Sequence, residues 1–237
     1  STRMVFKEIL ESLADGAKQS LSVMAACAVV GIIIGVVSLT SFGSVMTSSI
    51  MSIGAGSLFL TLFFTMIASM ILGMGLPSIP AYIITATMAA PALANFDIPT
   101  LVAHMFVFYF GLFANITPPV ALAAFAGAGI AGGDPMRTGF QALKLSLAGF
   151  IVPFLFVYNP AMLMIDTANV AVNAREFAFP AWTTIVSIVF TSVVGILALG
   201  AAVEGYFKVG LNWFWRIFLG AGALCMIIPE TVTDIIG

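Results

Sequence analysis

Charged side chains are scarce in this chain: only 8% of its 237 residues are Asp, Glu, Lys or Arg, against 61% that are apolar. A soluble domain carries about 25% charged residues, so this chain cannot clothe a water-facing surface. The net charge is only −2 and no basic patch occurs, which leaves no footing for nucleic acid. Cysteine occurs twice, at Cys27 and Cys225. The two lie far apart inside apolar stretches, without metal-ligand spacing, and read as small packing residues. Histidine occurs once, so no His pair can hold a metal. Also missing are a Gly-x-Ser-x-Gly nucleophile turn and an intramembrane aspartate pair. An enzyme is not expected.

What is present is apolar sequence in long runs, with a mean hydropathy of +1.16. Lipid offers no hydrogen bonds to a bare backbone, so spanning elements must be helices or a closed barrel. The runs are about 18–22 residues long, the length of a helix crossing hydrocarbon, and do not alternate as strands would. The class read from them is an all-α polytopic membrane protein in a lipid bilayer. The sequence begins at Ser1 without an initiator Met or a signal-peptide pattern and stops soon after its last apolar run. It is expected to be one part of a longer polypeptide.

Residues 1–20 interleave Arg3, Lys7, Glu8, Glu11, Asp15 and Lys18 with Met4, Val5, Phe6, Ile9, Leu10 and Leu13, predicting an amphipathic surface helix. A span is expected at 21–40, followed by an uncharged Ser-, Gly- and Met-rich stretch, 41–56. Residues 57–94 are apolar but interrupted at Gly73-Met74-Gly75-Leu76-Pro77-Ser78-Ile79-Pro80. Residues 99–131 are interrupted at Asn115-Ile116-Thr117-Pro118-Pro119. Asp97 reads as an N-cap with Pro99 in the first turn, and Asp134 as a cap with Pro135 at the first helical position. Further spans are expected at 136–157, 180–201 and 211–228, with a mildly polar connection at 159–178. Trp182, Trp213 and Trp215 fall near the expected membrane boundaries and read as interfacial anchors.

Two glycines and two prolines in eight residues cannot continue a straight helix. A break at membrane depth frees backbone groups that cost several kcal/mol each in hydrocarbon, so such breaks survive only inside protein or beside a watery cavity. Carriers use paired breaks to bind ions and substrates, whereas ordinary proline kinks or surface turns are the plainer alternative. Cationic residues discriminate between topologies. With 57–94 as a re-entrant hairpin and 99–131 as a broken transmembrane helix, Arg3, Lys7, Lys18, Arg137, Lys144, Lys208 and Arg216 share one side, and only Arg175 lies opposite. Making 99–131 a second hairpin erases this asymmetry. The positive-inside rule therefore places residue 1 in the cytoplasm and opens the hairpin to the exterior. Thr100, His104, Gly111 and Asn115 fall within about 60° of each other on a helix, a polar stripe that should face the bundle or a cavity. After the second break, residues 121–129 are mostly Ala and Gly, which lets backbones approach closely.

Gly73-Met74-Gly75-Leu76-Pro77, Ile116-Thr117-Pro118-Pro119-Val120-Ala121-Leu122-Ala123 and Gly127-Ala128-Gly129-Ile130-Ala131-Gly132-Gly133-Asp134-Pro135 together resemble the large membrane subunit of TRAP transporters. These are tripartite ATP-independent periplasmic carriers. The wording is closest to the C-terminal half of the fused permeases that work with TAXI-type binding proteins. The resemblance covers residues 15–165, whereas 166–237 carry no motif beyond generic helices. It implies one inverted-repeat half of an elevator-type carrier of the ion transporter superfamily. It also implies a bacterial or archaeal inner membrane, a periplasmic TAXI-type binding protein, and the N-terminal half of the same permease as partner. The implied activity is cation-coupled uptake of small organic anions, with Na+ as the expected coupling ion and H+ as the alternative, and no other cofactor.

At the hairpin tip, Gly73 and Gly75 can present carbonyls to a cation while Ser78 adds a hydroxyl. At the broken helix, Asn115 and Thr117 supply side-chain oxygens, and hard cations prefer oxygen ligands. Ser78, His104, Asn115, Thr117, Pro118 and Pro119 are the candidate substrate contacts, the prolines holding the break open. His104 reads as a proton carrier or substrate contact, or else as a buried imidazole bonded to a neighbouring helix. A channel or a non-transporting scaffold subunit is the competing function.

Overall fold

The computed structural model describes residues 6–165, 180–207 and 209–227. Arg3, Met4, Val5, Arg175, Lys208, most of the expected 159–178 connection and residue 228 lie outside the described residues, as does the side chain of Cys225.

Helix α1 runs unbroken over Phe6–Leu39, 34 residues. At 1.5 Å per residue it is about 51 Å long, more than a hydrocarbon core needs. The expected boundary at residue 20 is therefore no break in the backbone. No proline interrupts the stretch, and its first turns carry exposed ion pairs at helical spacing, Lys7–Glu11 and Asp15–Lys18. The chain then turns at Ser41, which is left-handed, and bends by 74° into α2, Phe42–Gly54. The Ser-, Gly- and Met-rich stretch for which the sequence suggested no element is thus largely helical. Its hydroxyls fit a helix by bonding back to preceding carbonyls, as Ser48 does to Val45.

Ser57 caps α3, Leu58–Gly73, by accepting from the Leu60 N–H. After a turn at Met74–Pro77 the chain reverses into α4, Ser78–Met88, and a 3-10 stretch, Ala90–Phe96. Asp97 does not cap the next helix. It adopts a left-handed conformation (φ 53°) that ends the 3-10 stretch, and the N-cap of α5, Thr100–Phe113, is Pro99. The short side chain of aspartate tolerates this conformation better than most.

Helix α5 is the centre of the domain. Its Val102, Phe106, Val107 and Phe110 are fully buried, packed with Leu62 of α3 and Leu93. Aromatic contacts hold α5 to the following rod: Phe106 meets Phe154 edge-on at 5.3 Å, and Phe113 stacks on Phe150 at 4.9 Å. After a second break, α6 covers Leu122–Ala131. Asp134 then caps α7, Pro135–Ser146, accepting from the Arg137 N–H at 2.7 Å with Pro135 at the first position, as the sequence predicts. A 3-10 stretch, Leu147–Ile151, joins α7 to α8, Val152–Tyr158, just before Pro153, so that 135–158 forms one apolar rod.

Helices α9, Trp182–Glu204, and α10, Trp213–Ile227, make a closing hairpin. Between them lies the one departure from an all-helical chain among the described residues, antiparallel strands β1, Tyr206–Phe207, and β2, Val209–Gly210. Ala148, Leu199 and Ala223 join this hairpin to the rod. Trp182, Trp213 and Trp215 are exposed at the helix starts. Two described helices are long and apolar enough to cross a membrane unaided, Pro135–Tyr158 and Ile185–Glu204. The number rises to four if two bent pairs each count as one span: Met24–Leu39 with Phe42–Gly54, and Ser78–Met88 with Ala90–Phe96.

Candidate functional site

The two interruptions meet. Asn115, in the 3-10 turn Ala114–Ile116 that ends α5, donates from Nδ2 to the carbonyl oxygen of Leu76 at 3.3 Å. Leu76 lies in the turn between α3 and α4, so one hydrogen bond ties the two non-helical points together across 39 residues of sequence.

Just behind this bond the backbones of α3 and α5 touch. A Cβ on Gly73 would stand 2.5 Å from the Gly111 carbonyl oxygen and 2.8 Å from its Cα. Only glycine fits there. Gly111 in turn faces α4, where a Cβ would lie 3.5 Å from the Thr85 side chain. Gly75 has a different reason for being glycine: its φ of +75° turns the chain, while a Cβ there would only meet Val120 Cγ1 at 3.8 Å, an ordinary contact.

On the other side of the site, α5 ends at a polar corner. Thr117 is 7% exposed, extended, and donates its hydroxyl to the Phe113 carbonyl at 2.8 Å. A hydroxyl that donates once keeps its lone pairs, and an Asn whose amide donates keeps its carboxamide oxygen. Both side chains therefore retain oxygen acceptors at the break. Pro118 and Pro119 carry no N–H and keep the chain non-helical until Ala121, which is left-handed at φ 34°. Gly139 of α7 packs under this corner, where a Cβ would come within 3.4 Å of Pro118 Cγ and 3.5 Å of Ala121 Cβ.

Two helices begin at the breaks, α4 at Ser78 and α6 at Leu122, and neither has a side-chain cap. By contrast, Ser57 caps α3 and Asp134 caps α7. The uncapped first-turn N–H groups present partial positive charge. Ser78 is exposed at the start of α4.

The predicted polar stripe of α5 does face the α3–α4 hairpin, but not all of it reaches the breaks. A hydrogen bond of 3.0 Å joins His104 Nδ1 to the Tyr82 hydroxyl of α4. Eleven residues of helix put His104 about 16 Å from the level of Asn115. The structure thus brings Asn115 to the turn that holds Gly75, sets Gly73 against Gly111, leaves Thr117 bonded locally to Phe113 and Ser78 at the start of α4, and leaves His104 apart as a tie between α4 and α5. Tyr82, Gly111 and the Leu76 carbonyl were not picked out as site residues from sequence. Tyr82 had a detectable signal as a hydroxyl on an apolar arm, and Gly111 lay on the predicted polar stripe; the Leu76 carbonyl is a backbone contact and had none.

A chain of apolar helices with two touching interruptions has the architecture of a multi-pass membrane protein. The family model of the tripartite ATP-independent periplasmic transporters, DctM component, matches residues 1–170, and this chain belongs to that family. It is therefore a TRAP transporter membrane permease subunit, and TRAP transporters work with a periplasmic binding protein and a small subunit. No curated protein and no solved structure matches it. Helices α9 and α10 lie beyond the matched residues.

Proposed function

We propose that this chain is one half of an elevator-type, cation-coupled carrier for small organic anions, with α3–α4 as its re-entrant hairpin and α5–α6 as its broken transmembrane helix. The carrying observation is the Asn115–Leu76 hydrogen bond, backed by the Gly73–Gly111 contact. Element lengths support it: α3 and α4 have 16 and 11 residues, α5 and α6 have 14 and 10. At 1.5 Å per residue none exceeds about 24 Å, short of a roughly 30 Å hydrocarbon core. Each is suited to reaching only part of the way, and their broken ends would meet inside the slab.

Oxygens from Asn115, Thr117 and the Gly73–Gly75 turn would hold the coupling cation, with Ser78 beside them. The uncapped starts of α4 and α6 would face the substrate carboxylate, between Ser78, Asn115 and the Thr117-Pro118-Pro119 corner. His104 is assigned a positioning role through Tyr82. In this reading the hairpin opens to the exterior. A cleft of about 740 Å³, lined by Ser38 at the end of α1, Ser41 just after it, Ser44 and Thr47 of α2, and Thr87 and Asn95 at the hairpin's open end, gathers on that side. The binding protein is of TAXI type, the missing half of the site comes from the N-terminal half of the permease, and the membrane is the inner membrane.

The test is uptake by the full-length permease with its binding protein under imposed sodium and pH gradients, together with counterflow of labelled substrate in proteoliposomes. A carrier exchanges, saturates and follows one of the two gradients. Flux that does not saturate would identify a channel, and no flux at all a scaffold.

A further inference from the structure

The last two helices and α7 carry a charged corner outside the site proposed at the breaks. Lys144 of α7 pairs with Glu204 at the end of α9 at 3.1 Å, both side chains remaining 40–45% exposed. Arg216, in the first turn of α10, donates from Nε to Ala202 O at 2.8 Å and from Nη2 to Val203 O at 2.7 Å. Those are carbonyls of the last turn of α9, which has no intrahelical donors for them. The guanidinium also lies 5.2 Å from the ring centroid of Trp213.

Lys144, Trp213 and Arg216 line a cleft of about 440 Å³ between α7, α9 and α10, with Glu204 held beside it by Lys144. Its chemistry changes along its length. Glu204 ends α9, Arg216 lies in the first turn of α10, and Lys144 reaches them from the last turn of α7, within the rod 135–158; Leu147, Leu199, Ile217 and Gly220 lie within a turn or so of these three. Trp213 stands at the charged end, 72% exposed, the position of an interfacial tryptophan. Two cations face one carboxylate, so the described corner keeps a net charge of +1. Arg216 uses two of its five N–H donors on α9 and has three left.

We propose that this cleft binds an anionic phospholipid. The headgroup phosphate accepts from the remaining Arg216 donors and from Lys144, and one acyl chain lies along Leu147, Leu199 and Ile217. A basic cleft between helices at the membrane surface is the geometry that selects negatively charged headgroups. The cleft joins α7, inside the family match, to α9 and α10, outside it, and the inference does not depend on the cargo or on the site at the breaks.

The test is native mass spectrometry of the purified permease offered equal amounts of phosphatidylglycerol and phosphatidylcholine with the same acyl chains. The wild type should retain phosphatidylglycerol preferentially, by roughly fivefold for each unit of favourable charge. Lys144→Gln should reduce that preference by about fivefold. Glu204→Gln, which frees Lys144 without changing shape, should raise it by a similar factor. Equal retention of the two lipids by the wild type, or an unchanged preference in Glu204→Gln, overturns the proposal. Glu204→Gln also protects against misreading: an ion pair with only a structural role would lower its melting temperature without moving the lipid ratio.

Discussion

In the proposed site, Asn115 and Thr117 would each do two jobs with one functional group. The Asn115 amide donates to Leu76 while its carboxamide oxygen stays available, and the Thr117 hydroxyl donates to Phe113 while its lone pairs stay available. This division separates architecture from binding in a mutational test. Thr117→Ala removes a cation oxygen, so the sodium or proton concentration for half-maximal uptake should rise several-fold, while Thr117→Ser should restore it. Asn115→Leu removes both the tie and the oxygen. A neutral hydrogen bond contributes about 0.5–1.5 kcal/mol, so loss of the tie alone should weaken cation dependence by roughly 2- to 10-fold. Cation-activation curves of uptake read both, and unchanged activation in Thr117→Ala would remove Thr117 from the site.

At the scale of elements, the position of the hairpin against α5 rests on a contact between two glycines. Gly73→Ala must push α3 and α5 apart, because the new Cβ meets backbone rather than a side chain that can move. Overpacking of this kind costs about 1–3 kcal/mol, and thermal unfolding in detergent should show a lower melting temperature with cation dependence impaired as well. Gly127→Ala is the control, since nothing lies within 4 Å of its new Cβ; it should melt as the wild type does. The aromatic contacts of Phe106 and Phe113 with Phe154 and Phe150 anchor α5 to the rod, so relative movement should fall at the hairpin and at α6 rather than within this cluster.

For the molecule as a whole, sidedness follows from charge and contact together. Lys144, Glu204 and Arg216 touch or share one cleft, so the ends of α7 and α9 and the start of α10 lie on one side. In the proposed topology, the positive-inside asymmetry would make that side cytoplasmic. In a variant with Cys27 and Cys225 replaced by serine, Asn95→Cys should react with an impermeant maleimide in intact cells, and Arg137→Cys only after permeabilisation. The opposite pattern would invert the proposed topology.

Composition and local backbone chemistry by themselves determined the membrane class, the two breaks, the Asp134 cap and the approximate extents of most helices. These depend on lipid as solvent, on proline's missing N–H and on glycine's freedom, all properties of short stretches of chain. The same local reasoning assigned Asp97 the wrong job and found no helix at 41–56, because neighbouring turns and packing outweighed propensity there. Tertiary structure alone decided that Asn115 meets Leu76, that Gly73 requires Gly111, that His104 bonds Tyr82 instead of joining the breaks, and that Lys144 meets Glu204. Each joins groups from 22 to 60 residues apart. Such pairs are set by how whole helices pack, so no local pattern in the chain encodes them.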